Sequence, residues 1–227
     1  VFTSDNGGVA SGDAFSTSNL PLRGGKGYQW EGGIREPYFI KVPWLKGDNS
    51  ESDYPVTGTD FYPTILDLAG IDALPNQHVD GISLKPLLEG KGMKVKRPLY
   101  WHYPHYGNQG GEPSSIIQEE GWKLIHYWED DRDELYNLST DIGEQSDVAD
   151  ENSELASRMR KKLLNWLKEV GANLPEKDTD FNEELAAQRH KKIVEEQWPA
   201  LEKQRIDFLS EDFEPNADWW GSKVTRD

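Results

Sequence analysis

The run of apolar and polar positions divides the chain into a strand-and-loop front, a β-rich middle and a helical end. Residues 1–4 (VFTS) read as a short apolar strand, expected to be buried, that runs into the turn Asp5-Asn6-Gly7-Gly8. A polar stretch then leads to a Gly-rich basic segment over 21–37, PLRGGKGYQWEGGIREP, followed by a second strand at Tyr38–Val42 closed by Pro43. Thr59-Asp60 can cap a helix over Phe61–Ala69, with Pro63 in its first turn, Gly70 at its end and Ile65, Leu66 and Leu68 on its buried face. Val79-Asp80-Gly81 reads as a turn and Ser83–Leu88 as a helical turn ending at Gly90. The aromatic segment 97–106 (RPLYWHYPHY) and the runs 115–118, 122–127 and 133–137 predict a small antiparallel sheet. From 152 to 171 the spacing of Leu155, Met159, Leu163, Trp166 and Val170 predicts an amphipathic helix. After Pro175, Asp180 with Glu183 resembles a capping box for a charged helix reaching Trp198, where Pro199 interrupts it, and 215–227 reads as an extended tail. These breaks divide the chain into 1–95, 96–175 and 176–227.

Composition narrows what such a chain can do. Its 227 residues suit one large domain or a domain with a small appendage, and nine Trp and nine Tyr supply core bulk despite a mean hydropathy of -0.80. A net charge of -16 repels nucleic acid and anionic membranes. Most of the acid falls after Glu129, whereas Arg23, Lys26, Arg35 and Lys41 lie close together, so a basic site can exist within an acidic body. With no cysteine, disulfides, thiolate zinc sites and Cys nucleophiles are excluded. No apolar run approaches a membrane span, and no signal peptide is visible. The chain opens on a strand without a Met and reads as a piece that starts mid-domain.

Four groups of residues could carry chemistry. Asp5 and Asn6 place two oxygen donors at a strand end before two glycines, a pattern that suits a hard cation and also fits a plain turn. Lys26, between Gly25 and Gly27, can present its ammonium to an oxyanion or be a solvated loop lysine. The loop is not a P-loop, because the G-x-x-x-x-G-K spacing is missing. Glu31 and Arg35, four residues apart, read as a structural pair, with Arg35 alternatively an anion ligand. His102 and His105 lie among Tyr100, Trp101, Tyr103 and Tyr106; with Asn108 they can build a sugar-binding wall, or they are satisfied histidines of a packed strand.

Together these segments resemble the type I, formylglycine-dependent sulfatases of the alkaline phosphatase superfamily, close to the polysaccharide- and arylsulfatase-like members. VFTSDNGG resembles the strand that delivers the last calcium ligands, and LRGGKGYQWEGGIREP the pattern G-K-G-x-x-x-E-G-G-x-R-x-P. TDFYPTILDLAG, DGISLKPLLEG, RPLYWHYPHY, EEGWKLIHY and ELYNLSTDIGEQSDVA follow in family order, so the similarity covers roughly residues 1–175.

The resemblance implies an α/β fold. Residues 1–95 would be the C-terminal part of the catalytic sandwich, 96–175 an antiparallel-sheet subdomain with a packed helix, and 176–227 a charged tail. It implies Asp5 and Asn6 as ligands of Ca2+, with Mg2+ as the alternative. Lys26 would contact the sulfate and neutralise charge as the S–O bond breaks. Glu31 and Arg35 would hold the loop in shape, and His102 and His105 would lie near the substrate.

The sequence departs from the family at the nucleophile. The motif (C/S)-x-P-x-R is absent, since in Ser18-Asn19-Leu20-Pro21-Leu22-Arg23 the proline comes one position late. The first aspartate pair of the calcium site, the upstream histidines and a second lysine are missing as well. Formylglycine is therefore expected on an absent N-terminal half or a complementing chain, and the isolated chain is expected to be inactive. The implied activity is hydrolysis of a sulfate ester, on a carbohydrate, by a periplasmic or secreted enzyme. A phosphonate or phosphodiester hydrolase of the same superfamily, a non-catalytic glycan-binding module and a complementing chain are the alternatives. Neither nucleic acid nor a membrane span is expected.

Overall fold

The computed structural model describes residues 1–9, 17–45, 51–77, 80–107, 110–192 and the single positions 195, 196, 199, 203 and 206. Val79, Asn108, Trp198 and the expected tail over 215–227 lie outside the described residues. In chain order the elements are β1 (Phe2–Thr3), α1 (Glu31–Ile34), β2 (Tyr38–Phe39), α2 (Phe61–Ala69), α3 (Lys85–Leu88), β3 (Leu99–Tyr103), β4 (Ser114–Glu119), β5 (Trp122–Tyr127), β6 (Asp133–Asn137), α4 (Ser153–Glu169) and α5 (Glu183–Lys192). They form a mixed α/β structure in two compact units. One comprises 1–2 and 38–97; the other comprises 3–37 and 98–227. The Gly-rich segment thus packs with the C-terminal sheet, although 60 residues of the other unit, 38–97, separate the two in sequence.

In the first unit, the Phe2 and Phe39 rings meet with centroids 6.0 Å apart. The N-terminal strand is not buried as expected: Phe2 is 67% exposed, because no further strand lies beside Phe2 and Phe39 among the described residues. The second strand ends at Phe39, earlier than Val42. Asp60 organises the rest. Its fully buried carboxylate accepts the Thr57 N–H (2.8 Å) and the Ile82 N–H (2.9 Å), and it pairs with Arg97. Thr64 Oγ1 donates to the Asp60 carbonyl (2.6 Å) and accepts the Leu84 N–H (2.9 Å). These bonds turn Pro63 and Thr64 inward, so the buried side of α2 is theirs, and Ile65 is 44% exposed instead of buried. Gly70, at φ 68°, ends the helix, and the Ile71 N–H closes back on the Leu66 carbonyl (2.9 Å).

The second unit is built on an antiparallel meander, β3-β4-β5-β6. Glu120 and Gly121, both at positive φ (51° and 82°), form the two-residue turn between β4 and β5 and set the register Glu119↔Trp122. Side chains alternate across the sheet, and both faces are covered. On one face Ile117, Leu124 and Leu135 pack against Ala156, Met159, Leu163 and Leu167 of α4. This stripe is rotated from the expected one: Leu155 and Trp166 are only partly buried and Val170 is 55% exposed. The 156-159-163-167 spacing aims the helix at the sheet, while Trp166 stacks on Tyr100 at its edge (4.5 Å between centroids, 4° between planes). On the other face Ile116, Ile125, Tyr127, Tyr136 and Leu138 receive Trp30 and Ile34 from the Gly-rich segment. Helix α5 is capped by Asn182 instead of Asp180, its Oδ1 accepting the Leu185 N–H (2.9 Å).

Replacing Asp60 with Ala leaves the Thr57 and Ile82 N–H groups without their acceptor and Arg97 without its carboxylate partner. We expect hydrogen–deuterium exchange to accelerate over 57–70 and 80–88 and to stay at the parent rate over β4–β6. Parent rates in both regions would refute the role given to Asp60.

Candidate active site on the glycine-rich loop

The segment 23–35 folds into a tight loop closed by the single turn α1. The Gly32 N–H donates to the Arg23 carbonyl (2.8 Å), Tyr28 to Gly25 (2.9 Å) and Arg35 to Glu31 (2.7 Å). Its glycines are demanded by backbone-to-backbone contact. A Cβ on Gly32 would lie 2.4 Å from the Arg23 carbonyl oxygen, one on Gly33 2.1 Å from that of Tyr28, and one on Gly7 2.3 Å from that of Gly32. The last contact joins the Asp5–Gly8 turn to the loop. There the Gly7 N–H reaches the Gly33 carbonyl (3.3 Å), and the Lys26 N–H reaches the Gly8 carbonyl (3.1 Å). Asn19 Nδ2 donates to the carbonyls of Gly8 (2.9 Å) and Gly24 (3.1 Å), bridging turn and loop. Three of the expected site residues, Asp5, Asn6 and Lys26, are therefore brought to one backbone assembly.

Their functional groups are left open. Asp5 is exposed, and Asn6 and Lys26 are half-buried. Among the described residues no ion pair or side-chain hydrogen bond engages the Asp5 carboxylate, the Asn6 carboxamide or the Lys26 ammonium. Glu36 lies in the field of Asp5, and one of its carboxylate oxygens, Oε1, is buried without a hydrogen-bond partner. Burial, with the charge of Asp5 adding to it, pushes the Glu36 carboxyl up from its ordinary value. Local negative charge and unengaged oxygens are what a hard cation takes. Asp5 and Asn6 thus fit one side of such a site. The six to eight oxygens of Ca2+ need further donors, and the described residues contain no group of three or more His, Cys, Asp or Glu able to hold a metal.

The other cations of the loop are committed to the fold. Arg23 lies over the Trp30 ring (3.8 Å) and donates to Tyr136 Oη (3.2 Å) and the Glu144 carbonyl (2.9 Å). Arg35 pairs with Glu31 (3.4 Å). Glu31 is buried, and its Oε1 accepts from Lys123 Nζ at 3.0 Å. Lys123 Nζ also lies 2.8 Å from Glu144 Oε1, an ionic contact without hydrogen-bond alignment. Glu144 Oε2 accepts the Glu31 backbone N–H (2.6 Å). Burial pushes the Glu144 carboxyl up, and the Lys123 charge opposes that shift. A further tie runs from Gln29 Nε2 to Tyr127 Oη (2.9 Å), and both Tyr127 and Tyr136 donate to Glu134 Oε2 (2.8 and 2.9 Å). Burial first, and the Glu134 charge with it, holds both phenols far above their usual range, so they remain O–H donors.

The two histidines part company. The Asn173 carbonyl can only accept, so His102 Nε2–H donates to it (2.9 Å), while His102 Nδ1 shares a hydrogen bond with Ser115 Oγ (2.7 Å), which also accepts from Trp128 Nε1 (2.9 Å). His102 has no ring nitrogen left for a ligand; it fastens the segment that follows α4 to β3. His105 is exposed, edge-on to Tyr103 (5.4 Å), with Tyr106 exposed beside it. The chain beyond Tyr106 returns to the Lys26 loop: Gly110 lies on the Tyr28 ring and Gly111 on the Gly27 carbonyl, where a Cβ would come within 2.2 Å of each.

Sequence reasoning missed Lys123, Glu144, Gln29 and Tyr127. The signal for Lys123 was present: it shares a strand face with Ile125 and Tyr127, and a lysine on a covered apolar face needs carboxylates.

Comparison with known proteins agrees with this architecture. Residues 25–170 match the family described as N-sulphoglucosamine sulphohydrolase, C-terminal, and the chain belongs to that sulfatase family. A sulfatase of Formosa agariphila is 38% identical over 183 residues, covering 74% of this chain and 32% of the relative. An N-acetylglucosamine-6-O-sulfatase of Bacteroides thetaiotaomicron is 29% identical over 175 residues, covering 75% of this chain and 31% of the relative. Among solved structures, Ps i-CgsB in complex with k-i-k-neocarrahexaose superposes with a TM-score of 0.60 at 30% identity, over 73% of this chain and 35% of that one. The chain thus spans about a third of the length of these relatives.

Because the Gly32 contacts are all to backbone, Gly32→Ala forces the loop to open. We expect a loss of about 1–3 kcal/mol in unfolding free energy, read by urea titration of Trp fluorescence. Unchanged stability would show that the loop tolerates a side chain there.

Proposed function

We propose that this chain supplies the C-terminal part of a sulfatase that hydrolyses sulfate esters on a carbohydrate, with Lys26 as its sulfate-contacting cation. The observation that carries the reading is an unpaired ammonium, held by a glycine-bound loop, beside the unengaged oxygens of Asp5 and Asn6. Membership of the sulfatase family supports the reaction class. The carbohydrate assignment draws on the relative named an N-acetylglucosamine-6-O-sulfatase and on the neocarrahexaose complex.

In this reading Asp5 and Asn6 hold one side of a Ca2+ ion, which when bound supplies positive charge at the sulfate. Lys26 places its ammonium against a sulfate oxygen and offsets the negative charge that grows as the S–O bond breaks, an electrostatic role that needs no movement of the group during the reaction. Glu31 and Arg35 keep the loop in shape. His105, with Tyr103 and Tyr106, offers the substrate an exposed aromatic wall, and His102 supports it from within. The nucleophile, a formylglycine, and the remaining calcium ligands come from outside this chain.

The test uses the complete enzyme and 4-nitrophenyl sulfate. Lys26→Ala should lower kcat/KM by about 10²–10³-fold. Asp5→Ala should raise the calcium concentration needed for half-maximal activity, and chelation should silence the parent. Parental turnover by Lys26→Ala, or activity indifferent to chelation, would overturn the reading.

A further inference from the structure

One residue grips both ends of the loop that carries Lys26. Glu144 accepts the Glu31 N–H at its carboxylate (2.6 Å), and its backbone carbonyl accepts from Arg23 (2.9 Å). Arg23 and Glu31 bracket Lys26 and are joined to each other through the Gly32 N–H and the Arg23 carbonyl (2.8 Å). Glu144 is fully buried and sits at φ 50°, a left-handed conformation that a non-glycine residue keeps only when its surroundings over-determine it.

Lys123 is what makes that placement tenable. Its side chain is fully buried between Glu31 and Glu144, within 3.0 and 2.8 Å of their carboxylates. Remove its charge and two carboxylates face each other out of water, so one moves away or takes up a proton. Either response loosens the contact that fixes the Glu31 end of the loop. The loop in turn holds the Asp5–Asn6 turn through the Lys26 N–H and the Gly8 carbonyl (3.1 Å), so a displacement reaches both the cation and the metal-ligand candidates.

We infer that Lys123 and Glu144 are positioning residues for the sulfate-binding site, a buried clamp that sets where the Lys26 ammonium stands. The inference rests on the reading of Lys26 as the sulfate-contacting group. Neither clamp residue touches substrate; both act through Glu31 and Arg23 on the loop between them.

The experiment is a mutant cycle in the complete enzyme, with 4-nitrophenyl sulfate as substrate and inorganic sulfate as competitive inhibitor. Lys123→Met should lower kcat/KM by about 10²-fold, as misplacement of a binding group by about 1 Å does, and should weaken sulfate inhibition in step. Lys123→Arg, which restores a cation, should recover most of both. In the Lys26→Met background, Lys123→Met should cost no more than about 2-fold, since residues acting through one another are not additive. A full, additive loss in that background with parental sulfate inhibition would mean a general stabilising role and overturn the clamp. Loss in Lys26→Met with none in Lys123→Met would overturn the clamp and leave the reading of Lys26 intact, whereas parental activity in Lys26→Met overturns both. If Lys123→Met does not fold by circular dichroism, Arg23→Gln cuts the same clamp at its half-buried end and is judged by the same outcomes.

Discussion

The second unit depends on a charge that is fully removed from water. Lys123 is enclosed in the sheet face with two carboxylates, those of Glu31 and Glu144, and neither partner is near it in sequence. Any one of the three left without the others would be an uncompensated buried ion, which costs several kcal/mol. Together they are tolerable, because the opposite charges lie side by side, the Glu31 N–H donates to Glu144 Oε2 and Arg35 pairs with Glu31 Oε2. Such a cluster adds less to net stability than apolar residues of the same volume could. What it does is tie the Gly-rich loop to the sheet, since Lys123 meets the carboxylates of both Glu31 and Glu144 there.

That tie explains why the sheet has no polar face. An antiparallel meander with a single helix on it normally alternates between core and solvent. Here α4 covers one side and the loop covers the other, so β5 is buried at five consecutive positions from Lys123 to Tyr127. The loop has little apolar surface of its own beyond Trp30 and Ile34. It is held down by polar attachment at Arg23, Gln29 and Glu31, and its glycines let main chain lie on main chain. Lys26 stands between these attachments, and no ion pair or side-chain hydrogen bond engages its ammonium among the described residues.

Much of this was legible in the sequence. The four strands of the meander and helix α4 follow from short-range patterns, and the structure has them where those patterns fall. Of the Gly-rich segment the residues alone left two readings open, an oxyanion contact by Lys26 or a solvated loop lysine, and the resemblance favoured the first. Short-range patterns failed where long-range partners decide. The stripe of α4 was displaced because the sheet selects Ala156 and Leu167 over Leu155 and Val170. The face of α2 was misjudged because Asp60 and Thr64, both polar, are the residues drawn inward. His102 could line a sugar-binding wall or be a satisfied histidine of a packed strand, and its contacts with Ser115 and with Asn173, 71 residues away, make it the second. No local signal marks Glu144, whose importance comes from contacts with segments 113 and 121 residues earlier.

Those separations have a consequence for how the molecule is made. Synthesis delivers the Lys26 loop long before β5 and the turn that carries Glu144. A loop so rich in glycine has little tendency to hold a shape unaided. Until those later segments emerge, it has nowhere to sit, and closing so wide a span is a slow step in folding. The Lys26 loop therefore gains its fixed shape only once its C-terminal neighbours have been made. A chain cut short before Glu144 would retain every residue of the Lys26 loop and still lack the means to fix its shape.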